Sequence, residues 1–232
     1  MTGSNKEKLR DGERPRVFQI GFNRCGTTSL LLFFKLNGYA AVHRRAGRYA
    51  RPGTLAVAME LARREGKPLL TYVGRFDLYS DMEKINLSRD IGKFFAPRVF
   101  KRLRRQMRSN EPVLPLFGFT YFQLLDEQYP GSRFILNTRD MERWVASRLA
   151  FNDGKYRSCV HGDRYHATDA ELADCWRQAW RDHHRAVQEH FRDRPQDLLV
   201  FDIERDGPQK LIDFLPEFDF DPRHWGKRNA RV

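Results

Sequence analysis

Cysteine is scarce in this chain, long apolar runs are missing, and acidic residues are outnumbered by basic ones. Only three cysteines occur in 232 residues, Cys25, Cys159 and Cys175. They show neither metal-ligand spacing nor a disulfide framework, which argues against a zinc module and a disulfide scaffold and fits a protein kept in a reducing cytoplasm. No apolar run reaches the roughly eighteen residues of a membrane span, and the opening Met1-Thr-Gly-Ser-Asn-Lys-Glu-Lys is polar, so neither a spanning helix nor a secretory leader is expected. The histidines offer no pair at zinc-motif spacing, and no metal is expected. There is no internal repeat and no low-complexity tract.

What is present suits a globular enzyme-sized unit. Hydrophobic residues make up 41% and aromatics 13%, enough for a full core, so disorder is not the default reading. Residues 1–14 read as a flexible basic tail and 15–232 as a single domain. The formal charge of +12 draws anions: a multiply charged nucleotide, an anionic surface or nucleic acid. Part of the excess is local, since Arg98 to Arg108 holds six basic residues. That stretch reads as a solvated helix with Val99, Leu103 and Met107 inward, or as a docking surface for an acidic acceptor or lipid headgroups. No recognition-helix or zinc-finger signature supports a specific nucleic-acid partner.

The most informative stretch runs from Val17 to Leu30. An apolar strand feeds a loop bounded by Gly21 and Gly26, which have the G-x-x-x-x-G gap of a phosphate-binding loop, and an apolar helix follows. Such a loop turns backbone N–H groups toward an anion at the positive end of a helix. The lysine that usually follows the second glycine is replaced by Thr27 and Thr28, against the pattern of an ATP or GTP hydrolase.

Asn23-Arg-Cys-Gly-Thr-Thr-Ser29 resembles the 5′-phosphosulfate-binding loop of the sulfotransferases, usually seen as P-K-S-G-T-T. The family's second element, an arginine at a strand end and a serine eight residues on, is matched by Arg139 and Ser147, about 110 residues downstream. The likeness to the small microbial-type members extends over roughly residues 16–215. It implies a three-layer α/β/α fold with a central, mostly parallel sheet of P-loop-like topology, and a donor, 3′-phosphoadenosine 5′-phosphosulfate, used without metal. It also implies that Asn23, Arg24, Cys25, Gly26, Thr27, Thr28 and Ser29 hold the 5′ end. Arg139 and Ser147 would then hold the 3′-phosphate, and the late basic Lys227 and Arg228 would cover the nucleotide. The family lysine is replaced here by Arg24, a planar fork in place of a point ammonium. Cys25 stands where serine is usual and has no histidine beside it in sequence, so it reads as a loop residue.

The remaining segments alternate between strand and helix, as a parallel sheet covered on both faces requires. Strands are expected near 16–21, 39–43, 69–73, 133–137 and 198–202. Helices are expected after the loop and near 54–65, 119–128, 140–149, 168–191 and 208–215, with Asp140 and the capping box Thr168-Asp-Ala-Glu171 as starts. Residues 74–115 read as an acceptor-side insertion. For the base that deprotonates the acceptor, His43 ends the second strand on the edge where open α/β sheets bind ligands, and Asp81 and the weaker Asp77 follow the third. Arg143 and Arg148 are expected to face solvent. His183 and His184 are expected in packing or solvent roles. Aromatics at 76, 79, 94, 95, 117, 119 and 121 line an acceptor cleft or belong to the core. The leading reading is sulfuryl transfer to a hydroxyl or amine acceptor. The rivals are a P-loop kinase, for which Asp202 is a lone magnesium-ligand candidate, and a non-enzymatic basic protein that binds nucleotide or nucleic acid.

Overall fold

The computed structural model describes residues 14–45, 54–84, 116–151 and 168–226. Residues 1–13 of the tail, the basic 98–108 segment, most of the expected insertion, and Lys227 and Arg228 lie outside them.

Five strands form one parallel sheet: β1 (Val17–Gln19), β2 (Ala41–His43), β3 (Leu78–Ser80), β6 (Arg133–Thr138) and β7 (Leu198–Asp202), in the order β2-β3-β1-β6-β7. Two short strands, β4 (Glu83–Lys84) and β5 (Leu116–Phe117), pair antiparallel and bracket residues 85–115. Period-two alternation sorts the strand side chains onto two faces. Phe18, Phe134 and Leu136 pack on one side; Val17, Ile135 and Phe201 pack on the other. The first face is covered by α2 (Thr54–Arg64), α3 (Phe122–Gln128), α4 (Met141–Leu149) and α5 (Asp169–His190). The second is covered by α1 (Thr27–Leu36) and α6 (Pro208–Phe214), with Phe218 and Phe220 closing over Phe33 and Phe34. These are the three layers that the alternation of elements calls for.

Local chemistry sets the helix ends. Asp140 caps α4 by accepting from Arg143 N at 2.9 Å, and Thr168 and Glu171 exchange the reciprocal bonds of a capping box at the start of α5. One expected strand is misplaced. Leu69 to Val73 is a turn with Leu69, Leu70 and Val73 buried, closed by Thr71 N to Pro68 O (3.0 Å) and Val73 N to Leu70 O (2.9 Å). Its apolar side chains reach the core from the turn, and Gly74 leaves it with φ 94°. The third strand is Leu78–Ser80, which brings Asp81 directly to the strand end. Among the described residues no helix is long and apolar enough to cross a membrane.

Candidate functional site

The site is built where the carboxyl ends of β1, β2, β3 and β6 converge. Gly21 leaves β1 so close to β6 that a Cβ there would lie 2.1 Å from Asn137 O. At Gly26 the backbone turns left-handed, φ 78°, to open α1, and its hydrogen faces Ile203 at a distance no methyl group fits. Arg24 between them is also left-handed, φ 65°, in a region costly for a side-chain-bearing residue. The cap position of α1 is Gly26, which has no side chain to bond the first N–H groups, and no acidic residue stands in the first turn. Its leading N–H groups therefore carry the positive end of the helix undiminished.

A buried polar network holds this loop from behind. Gln19, the last residue of β1, donates to Asn137 Oδ1 and to Gly21 O (2.7 Å), and its Oε1 accepts from Asp81 N at 2.9 Å. Asn137 Oδ1 also accepts from Gly21 N (3.0 Å), while its amide donates to Cys25 O (2.7 Å) and Phe22 O (3.3 Å). Two side chains thus tie β1, β3 and β6 to both halves of the loop. Below the loop, Phe22 sits among Phe119, Trp144 and Trp180, and Trp144 Nε1 donates to Asn23 O at 3.0 Å. Arg148 does not face solvent. It is fully buried, donates to Glu83 Oε1 at 2.9 Å, and lies over the Trp144 and Trp176 rings, each 4.8 Å away. Glu83 Oε2 also accepts from Asn23 N (3.3 Å), so a buried ion pair anchors the outer arm of the loop. A polar Gln19 and Asn137 inside otherwise apolar strands were the sequence signal for the network; the Arg148–Glu83 pair left none.

The expected donor residues come together. Arg24 Nε donates to Ser147 Oγ at 3.1 Å, and its guanidinium stacks over Phe151 at 4.4 Å. Arg139 Nη1 donates to Arg24 O at 3.3 Å and Nη2 to Glu204 Oε1 at 2.5 Å. Arg139 Nε is buried with no hydrogen-bond partner among the described residues. Cys25 is buried in the core, which pushes its thiol well above the ordinary range, so at neutral pH it is an inert loop residue.

The two base candidates are also neighbours. His43 Nε2 lies 3.3 Å from Thr27 Oγ1 and 3.6 Å from Asp81 Oδ2, and Arg44 Nε is 3.2 Å from the same oxygen. Arg44 and Asp81 both adopt left-handed backbone, φ 57° and 50°. Burial pushes the Asp81 carboxyl up to about 7 against the pull of Arg44, and its Oδ1 has no hydrogen-bond partner among the described residues. Burial, with Arg44 beside it, pushes His43 down to about 4, so the imidazole is neutral at pH 7. Asp77 is excluded by position. It stands at the opposite, amino end of β3 and accepts from Ala40 N at 2.9 Å.

His183 and His184 serve packing and positioning, with Nε2 groups on Ile20 O (2.7 Å) and Thr138 Oγ1 (3.1 Å). Tyr79 and Phe119 are buried in the core rather than lining a cleft, and Asp202 Oδ1 is engaged by Glu204 N at 2.9 Å.

A parallel sheet whose first strand runs into a glycine-bounded loop, flanked by an arginine at the next strand end, defines a P-loop-like three-layer α/β protein. Residues 16–153, more than half of the chain, match the sulfotransferase domain, and the chain belongs to that family. Its activity is that of a sulfotransferase. The matched span takes in the loop, His43, Asp81, Arg139 and Ser147. No curated protein matches the chain.

Proposed function

We propose that this protein moves a sulfuryl group from 3′-phosphoadenosine 5′-phosphosulfate to a hydroxyl or amine acceptor, with Asp81 as the base. The observation that carries the reading is the link between two anion subsites: Arg24 on the loop bonds Ser147, and Arg139 bonds the Arg24 carbonyl. The residues fit such a donor on two further counts, the start of α1 without a side-chain cap and the Arg139 Nε that has no hydrogen-bond partner among the described residues. The 5′ end would lie against Arg24 and the N–H groups from Cys25 to Ser29, with Thr27 and Thr28 adding hydroxyls. The 3′-phosphate would lie against Arg139 and Ser147.

When bound, the donor supplies the sulfuryl group. Asp81 takes the proton that the acceptor loses as its oxygen or nitrogen bonds to sulfur. A carboxyl that titrates near neutrality is ionised often enough to accept a proton and basic enough to draw it. Neutral His43 stands between the loop and the carboxylate, its Nε2 3.3 Å from Thr27 Oγ1 and 3.6 Å from Asp81 Oδ2. As the sulfur–oxygen bond to the donor breaks, Arg24 and the α1 N–H groups stabilise the charge left on the departing phosphate, a preorganised arrangement that needs no reorganisation. Asp202 is occupied within its own turn and no lysine follows Gly26, so a kinase reading has no support beyond the loop itself.

The test is donor turnover with phenol, a simple sugar and a primary amine as probe acceptors, read by mass spectrometry of the sulfated product. The reading predicts product with at least one probe, a rate rising through pH 7, and loss of roughly two orders of magnitude or more in Asp81→Asn. A variant Asp81→Asn as active as the parent would remove Asp81 from the role, and His43→Gln would then be the discriminating variant.

A further inference from the structure

Glu204 lies on the turn after β7, beyond the span that matches the family. Its Oε1 accepts from Arg139 Nη2 at 2.5 Å and its Oε2 from Asp140 N at 3.4 Å, with Arg143 Nη1 3.6 Å from Oε1. The carboxylate therefore occupies an anion position at the amino end of α4, between two guanidinium groups. Burial alone would raise its carboxyl, but the Asp140 N–H and the two arginines outweigh that and hold it below the usual range.

The fit is incomplete. A guanidinium presents Nε and Nη2 as a parallel fork that matches two oxygens of one anion. Glu204 gives Arg139 one oxygen, on Nη2, and its second oxygen goes to Asp140 N. Arg139 Nε is left buried and, among the described residues, without a hydrogen-bond partner. A phosphate has three terminal oxygens and satisfies both limbs of the fork while still offering one to Ser147 or the α4 terminus. We propose that Glu204 is an internal surrogate for the 3′-phosphate: it holds Arg139 in place without nucleotide and is displaced when a phosphate takes the Nε/Nη2 fork. This rests on the donor-site reading above.

The local fold permits the exchange. The backbone of the turn is fixed separately, through Ile203 N to Thr138 O (3.0 Å) and Glu204 N to Asp202 Oδ1 (2.9 Å), so the Glu204 side chain can leave without unpairing β7. The surrogate also sets selectivity. A nucleotide with only a 3′-hydroxyl brings no charge to compete for Arg139 and leaves the carboxylate seated, whereas a phosphate competes on both charge and hydrogen-bond count.

The experiment is calorimetric titration of the full chain, Glu204→Gln and Glu204→Ala with 3′-phosphoadenosine 5′-phosphate and, separately, adenosine 5′-phosphate. The bisphosphate should bind both variants roughly tenfold more tightly, the scale of one competing charged hydrogen bond, with adenosine 5′-phosphate changed by less than about twofold. Weaker bisphosphate binding in both variants would overturn the proposal, because Glu204 would then be positioning Arg139 for the phosphate. Equal tightening for both nucleotides would overturn it too, as a general charge effect. Failure of the unaltered protein to bind the bisphosphate at all would remove the donor-site reading itself, and the surrogate with it.

Discussion

Replacing Asp81 by asparagine should make the protein more stable and less active, and the gain in stability should depend on pH in a defined direction. Burial moves this carboxyl from its ordinary 3.8 to about 7. An acid whose folded value is raised contributes stability that is complete below the unfolded value and is lost as pH rises toward the folded one. At about 1.4 kcal/mol per pH unit, holding Asp81 ionised costs the fold on the order of 4 kcal/mol above neutrality, with the Arg44 attraction already included. Relaxation around a buried charge takes back part of such a cost, so Asp81→Asn should gain about 2–3 kcal/mol at pH 8. The backbone does not object, since asparagine tolerates the left-handed conformation held at φ 50° at least as well as aspartate. The assay is urea unfolding of both proteins at pH 4, 6 and 8. The difference should shrink to about 0.5 kcal/mol at pH 4, where folded Asp81 is neutral and only its partial ionisation in the unfolded chain remains. His43, pushed down to about 4, also erodes stability as pH falls from about 6.5, but it does so in both proteins and largely cancels. A difference that is constant across pH, or an Asn variant less stable at pH 8, would refute the argument.

Three further outcomes are expected. Arg148→Leu should cost about 3–5 kcal/mol in urea unfolding by stranding Glu83 in the interior, while the double variant with Glu83→Leu should cost clearly less. Gly21→Ala should cost more than about 3 kcal/mol or fail to fold, because its methyl meets Asn137 O, whereas Gly38→Ala, with nothing within 4 Å at φ 83°, should cost only about 1–2 kcal/mol of backbone strain in thermal unfolding. Arg24→Lys restores the residue usual in the family loop but cannot reproduce both the Ser147 bond and the stacking on Phe151, so bisphosphate binding by calorimetry should weaken several-fold, by about 1 kcal/mol, instead of improving.

The layered parallel fold and the glycine-bounded loop were legible because both write themselves in short-range pattern. The spacing of Gly21 and Gly26 after an apolar strand forces a reversal at a helix start, and Arg139 with Ser147 marks the next strand-to-helix junction. What escaped depends on strand register and long-range packing. Leu69 to Val73 is as apolar as a strand, yet Pro68 and Gly74 confine it to a turn, and only the pairing of Leu78 with Val17 shows which segment joins the sheet. That register then places Asp81 beside His43, a neighbourhood 38 positions of sequence cannot reveal. Arg148 reads as a solvent residue on an amphipathic helix until Glu83 and two tryptophans are found around it. Glu204 has no local signal either, since Asp202 and Asp206 flank it in the same turn.

The loop and the β6 end are proposed as a donor site for a 3′,5′-bisphosphorylated nucleotide. Calorimetric titration with 3′-phosphoadenosine 5′-phosphate, beside adenosine diphosphate and magnesium ATP, tests it most directly when repeated on Arg139→Ala. Tight binding of the bisphosphate, little binding of ATP, and loss of roughly two orders of magnitude in the variant, the scale of a charged hydrogen-bonded anchor, are expected. Equal or tighter binding of magnesium ATP, or indifference to Arg139→Ala, would contradict the proposal.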